Sequence, residues 1–304
     1  MSQSPNDHHL PKGVEENPTS NPTPPAPEFV EIAAEVPVAR PVSVLSTFRS
    51  DDPRFLLRLP TLSRRSAWFD IVFFIVAMIA LEIVSSWAIL QFTGVEPLDG
   101  EPISPDIKRR LIIPTVTTRA FATLVLVSVI LRARRQSLSA IGLSLRRPFT
   151  DALVGFVGVG AMAALIFPTM FLLTSLFPKI LRQNEENTKG LLEWLPHLHP
   201  LGFTLLMGVV GFYEEVAFRG FLMLRLRRGF GNWPLAVVMS TILFTVPHLA
   251  EQTVATQIPL FMLSLGLSIL TIWRGSLIPA IVAHMGWNLG TVLILHFSMG
   301  DKWR

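Results

Sequence analysis

Three apolar stretches of this 304-residue chain carry groups able to handle a proton. The first, Gly211-Phe-Tyr-Glu214-Glu215-Val-Ala-Phe-Arg219-Gly220, sets two adjacent carboxylates and a guanidinium inside a hydrophobic run over about 201–224. The second ends in Phe244-Thr-Val-Pro247-His248, and the third holds His284 with Asn288 four residues on. An ionised group in hydrocarbon is costly unless paired or wetted, so such residues point first to function.

Helical spacing divides the roles. Glu215 and Arg219 stand at i and i+4, neighbours on one helix face, in the order that favours an ion pair. Glu214, turned about 100° from Glu215, has no cation four residues on and is left free to act as a general base. Pro247 removes an amide donor and kinks the helix beside His248. His284 and Asn288, again i and i+4, face the same way, and burial without partners would be unfavourable for both. Gly208, Gly211 and Gly220 allow neighbouring helices to approach closely. Tyr213, the only tyrosine, reads as a lining residue with a hydroxyl able to donate locally. Polar groups can also serve merely to join helices. Three separate spans supplying Glu, His, and His with Asn exceed what joining requires. His197 and His199, in Pro196-His-Leu-His-Pro200, read as interfacial, and His296 as a helix-end residue.

The elements that must position these groups follow from composition. Half of the residues (50%) are hydrophobic and 16% charged, too little charge to cover a soluble surface of this size. Mean hydropathy is +0.48, and the apolar residues fall in long runs, as a bilayer demands. The net charge of +4 would suit nucleic acid, but the arginines cluster in short loops beside apolar runs, so a lipid bilayer and no nucleic acid is expected as partner. The absence of cysteine excludes disulfides and thiolate metal sites. No basic segment followed by an apolar one opens the chain, so the first hydrophobic span is expected to act as an uncleaved insertion signal.

The expected fold is all-α: a polytopic transmembrane bundle of about seven spans, near 67–92, 111–131, 152–177, 201–224, 234–250, 256–273 and 276–297. The fifth and sixth are short and bracketed by Pro247 and Pro259, so one of them is expected to be broken or re-entrant. Residues 1–60, rich in Pro, Ser, Asn and Glu, are expected to form a disordered cytoplasmic tail, and residues 61–304 the membrane domain. Lys and Arg in the loops number 13 on one side against 8 on the other, which places the N-terminus in the cytoplasm. Glu82 and Arg119, each about ten residues in from the loop joining the first two spans, lie about 15 Å deep and are expected to pair.

The ordered set Glu214-Glu215-x-x-x-Arg219, Phe244-x-x-x-His248 and His284-x-x-x-Asn288 resembles the CAAX-protease and bacteriocin-processing (CPBP, Abi) intramembrane peptidases, relatives of the type II CAAX prenyl endopeptidase. Leu138-Ser-Ala-Ile-Gly-Leu-Ser-Leu-Arg146-Arg147-Pro148 also resembles a basic segment those proteins carry. The resemblance covers about 200–290 and fades before 130. It implies an endopeptidase acting on a membrane-associated, prenylated or CAAX-like peptide, in a membrane that would be the bacterial inner membrane. Glu214 would activate the water, His248 hold it, and His284 with Asn288 stabilise the oxyanion, with Glu215 and Arg219 in support. Two chemistries stay open: zinc held by Glu214, His248 and His284, or a metal-free course with Glu214 as base. The lack of HExxH, and the assignment of Glu215 to Arg219, favour the second. The rival class is a non-enzymatic scaffold or a proton-coupled transporter using the same buried groups.

Overall fold

The computed structural model describes residues 62–93, 104–194, 198–250 and 254–299. The expected tail and His197 lie outside the described residues. Every regular element described is a helix, and the architecture is an all-α bundle. In chain order the helices are α1 (Arg64–Thr93), α2 (Pro105–Ala133), α3 (Pro148–Leu176), α4 (Pro178–Trp194), α5 (Pro200–Glu215), α6 (Met223–Phe230), α7 (Trp233–Thr245), α8 (Val254–Arg274) and α9 (Ile278–Met299). A π-helical turn, Val216–Leu222, joins α5 to α6, and short 3-10 turns occupy Leu138–Ile141 and Val246–Ala250.

Five stretches are long and apolar enough to cross a bilayer, with Trp233–Leu249 and Ile278–Ile294 shorter but equally apolar. These seven correspond to the seven expected spans. Large apolar side chains stand exposed along α1 (Val72, Val76, Ile83) and α3 (Phe156, Phe167, Phe171). Faces this apolar require lipid around them, and the chain is an integral membrane protein. Helix α4 was not foreseen. Its sequence, PKILRQNEENTKGLLEW, is too polar to span, and it packs on α2, α3 and α8.

The π turn sits at the centre. Val216, Ala217, Phe221 and Leu222 are buried against Ile71 and Phe74 of α1, Val127 and Leu131 of α2, and Leu277 and Ile281 at the start of α9. The 138–148 segment braces this centre from outside: Ile141 is fully buried in the same cluster, and Gly142 O accepts from Leu277 N at 2.9 Å. At Gly220, a Cβ would meet Leu277 at 2.7 Å and the Ile141 carbonyl at 3.1 Å, so only hydrogen fits there. Gly208 and Gly211 both face Met285 of α9, which lets α5 and α9 close together as expected.

Ion pairs latch one end of the bundle. Asp70 near the start of α1 accepts from Arg134 Nη2 at 2.6 Å, and Arg225 Nε of α6 lies 3.6 Å from its other oxygen. Asp151 near the start of α3 accepts from Arg274 Nη2, at the end of α8, at 2.7 Å. Deeper along α1 and α2, Arg119 grips Glu82 with two hydrogen bonds, Nε to Oε2 at 2.8 Å and Nη2 to Oε1. The pairing expected from depth counting is present.

The α3–α9 contact fixes the helix that carries His284, and Gly155 is a point of close approach in it. A Cβ there would lie 2.7 Å from the Pro279 carbonyl and 2.8 Å from Val282. Gly155→Ala is therefore expected to destabilise the protein by about 1–3 kcal/mol through overpacking. Gly160→Ala, which meets nothing within 4 Å, should leave the thermal unfolding temperature in detergent unchanged or slightly raised.

Candidate active site

The sequence leads one to expect an ordinary helix from 201 to 224; the structure inserts a π turn after Glu215. Met223 N–H reaches back five residues to Phe218 O, and Ser240 Oγ of α7 donates to the same carbonyl at 3.1 Å. π turns of this kind concentrate at functional sites because they re-aim side chains without ending the helix. Here the turn presents Arg219, with no exposed surface, to Glu215, also fully buried. Arg219 Nη1 donates to Glu215 Oε1 at 2.7 Å, the expected pair.

Arg219 has further partners that the sequence did not announce. Its Nη2 donates to Ser264 Oγ at 2.7 Å, and Ser264 Oγ in turn donates to Thr241 Oγ1 at 3.1 Å. The guanidinium carbon lies 4.4 Å from the centre of the Phe244 ring, a cation–π contact inside a low-dielectric site. Helix α8, given no part by the sequence reading, thus supports the site through Ser264. The available signal was Ser264 and Ser268, small polar residues one turn apart in an otherwise apolar span.

His284 of α9 lies between the two glutamates. Its Nδ1 is 2.8 Å from Glu215 Oε1, and its Nε2 is 3.6 Å from Glu214 Oε2. Glu215 Oε1 accepts the Nδ1 proton, which fixes the ring orientation and leaves Nε2 toward Glu214. Glu214 keeps 13% of its side-chain surface exposed, against none for Glu215, and its Oε1 accepts from the Tyr213 hydroxyl at 3.3 Å. Two neighbouring acids therefore have different settings, one sealed and ion-paired, the other reachable.

His248 falls on the 3-10 turn that follows α7, where Pro247 ends the regular helix. Its Nδ1 lies 2.9 Å from Phe244 O, four residues back. Phe244 mediates between the two histidines, its ring centre 5.2 Å from that of His248 and 6.0 Å from that of His284. Asn288 stands one turn beyond His284, half-buried. His199, read as an interfacial loop residue, caps α5: its Nδ1 accepts from Leu201 N at 3.3 Å.

Among the described residues, no three His, Asp or Glu side chains are grouped so as to hold a metal ion. The trio Glu214, His248 and His284, considered above for zinc, is not assembled in this geometry. Both ring nitrogens of His284 face carboxylates, and His248 faces a backbone carbonyl through Nδ1. The residues as placed do not fit a zinc site.

Removing one member of a buried ion pair strands the other in a low dielectric. Arg219→Met is expected to destabilise the protein by about 3–5 kcal/mol, and Glu215→Gln with Arg219→Met to recover part of that loss, measured by thermal unfolding in detergent.

Neither the curated proteins nor the solved structures yield a match to the chain. A family match falls on residues 196–290, a window containing α5 through most of α9 and every member of the Glu214–His284 cluster. The segment carrying all three motifs is similar to the family described as type II CAAX prenyl endopeptidase Rce1-like, a family of proteases.

Proposed function

We propose that this protein is an intramembrane endopeptidase that cleaves a membrane-associated or CAAX-like peptide, prenylated or not, with Glu214 as the base that activates water. The observation that carries the reading is the array Glu214–His284–Glu215. A reachable carboxylate lies 3.6 Å from an imidazole nitrogen, and a sealed carboxylate holds that imidazole from behind at 2.8 Å. The logic is that of an acid–imidazole–acid relay, in which the rear acid fixes the tautomer and stabilises the imidazolium. A separation of this size is one that catalytic pairs close on binding substrate.

In the proposed course, Glu214 takes a proton from water as the water oxygen attacks the scissile carbonyl carbon. The resulting oxyanion is met by the Asn288 carboxamide with a histidine, His248 or His284. Collapse of the tetrahedral intermediate breaks the C–N bond, and the proton passes through His284 Nε2 to the leaving amine. Arg219 holds Glu215 in place through the Glu215 Oε1 contact. The loop-charge bias puts the N-terminus in the cytoplasm, and the membrane in question is the bacterial inner membrane.

The test is cleavage of a fluorogenic peptide set, including prenylated CAAX-type peptides, by the full chain in detergent. Glu214→Gln is expected to lower the rate by roughly 100-fold or more with the unfolding temperature retained. Chelator should leave the wild-type rate unchanged. A Glu214→Gln variant as fast as wild type would refute the assignment of the base. Loss on chelation with recovery on zinc would replace the metal-free course. A wild type no faster than Glu214→Gln on every peptide would favour the scaffold or transporter.

A further inference from the structure

Glu214 has a second support, which draws on residues outside the family-matched segment. Tyr213 is buried, 4% exposed, and its hydroxyl donates to Glu214 Oε1 at 3.3 Å. Arg119, on α2, lies within electrostatic reach of the same hydroxyl. A phenol has one proton to give and lone pairs to accept with, whereas a guanidinium only donates. A guanidinium on that side favours the accepting face of the Tyr213 oxygen, and the O–H is directed at the Glu214 carboxylate. Arg119 is itself gripped by Glu82 of α1 through Nε and Nη2. The line Glu82–Arg119–Tyr213–Glu214 alternates acid, base, phenol and acid, each facing a complementary group.

We propose that Tyr213 is a positioning residue for Glu214, oriented by Arg119 and Glu82, so that the α1–α2 hairpin is a working part of the site. The terminal torsion of a glutamate is soft, and a carboxylate held at one point swings. Tyr213 on Oε1 leaves Oε2 as the oxygen that faces His284 Nε2. This selects the oxygen and the plane in which a proton is exchanged. Helices α1 and α2 precede residue 196, so Glu82 and Arg119 lie outside the family-matched segment. The inference rests on the reading of Glu214 as the base.

Two measurements on the full chain test it, one through catalysis and one without. Tyr213→Phe keeps the ring and removes only the hydroxyl. It is expected to lower kcat about 10-fold while KM stays within about 2-fold and the unfolding temperature is unchanged. The charge-balanced pair Glu82→Gln with Arg119→Gln is expected to lower kcat similarly in the wild-type background and to add nothing in the Tyr213→Phe background. Because Tyr213 is the only tyrosine, its ring C–O stretching band in the infrared, identified with ring-labelled tyrosine, reports the hydrogen bonding of that one hydroxyl. Glu214→Gln should shift the band, and so should the Glu82/Arg119 pair. A band unmoved by either change overturns the inference whatever the catalytic result. So does a wild-type kcat in Tyr213→Phe alongside an inactive Glu214→Gln, an outcome that leaves the assignment of the base standing. An active Glu214→Gln removes the base itself and is recognised separately.

Discussion

A guanidinium without exposed surface in a membrane helix must be answered by charge and hydrogen-bond acceptors within reach, or the helix will not hold it. Arg219 is answered by Glu215 across one turn, by Ser264 of α8, itself bonded to Thr241 of α7, and by the face of Phe244. These partners come from α5, α7 and α8, so satisfying this one group fixes the mutual placement of the three helices. His284 then brings in α9 by bonding to the oxygen of Glu215 that Arg219 also uses. The cluster is a structural keystone and the back wall of the proposed reactive centre at once.

That double use explains why the two adjacent glutamates differ so sharply. Glu215 is sealed, with Arg219 and His284 both on its Oε1, which favours a stationary carboxylate. Glu214, one residue earlier, points out of the seal towards an imidazole and a phenol. The π turn contributes by letting Arg219 lie against Glu215 while the chain continues as α6 without a break. Close approach at Gly211 and Gly208 brings the His284 helix in over this face, because Met285 fills the room their missing side chains leave.

The sequence made legible what depends on spacing and polarity. Seven apolar runs, the Glu215–Arg219 pair and the Glu82–Arg119 pair could be read because i,i+4 neighbours and equal depths follow from helix geometry alone. The convergence of Glu214 with His284 was readable only as an expectation, since it depends on how α5 and α9 cross. The π turn was not legible, because Val216–Leu222 has no residue that forbids an ordinary helix; it arises from the packing of its neighbours. Asp70 and Asp151 were passed over because each stands at a span boundary, where an acid looks solvated, yet both are buried against arginines. Helix α4 was missed for a related reason: its polar text resembles a loop when only long apolar runs are sought.

The Glu82–Arg119 contact also bears on how the protein enters its membrane. A single charge near the middle of a helix adds about 2.5–3.5 kcal/mol to transferring that helix from the insertion machinery into lipid. Helices α1 and α2 would each carry that burden if released one at a time. Folded against each other first, they enter with the two charges already neutralised by a two-point contact. Biogenesis by hairpin, with α1 retained at the lateral exit until α2 has emerged from the ribosome, is the course this pair favours.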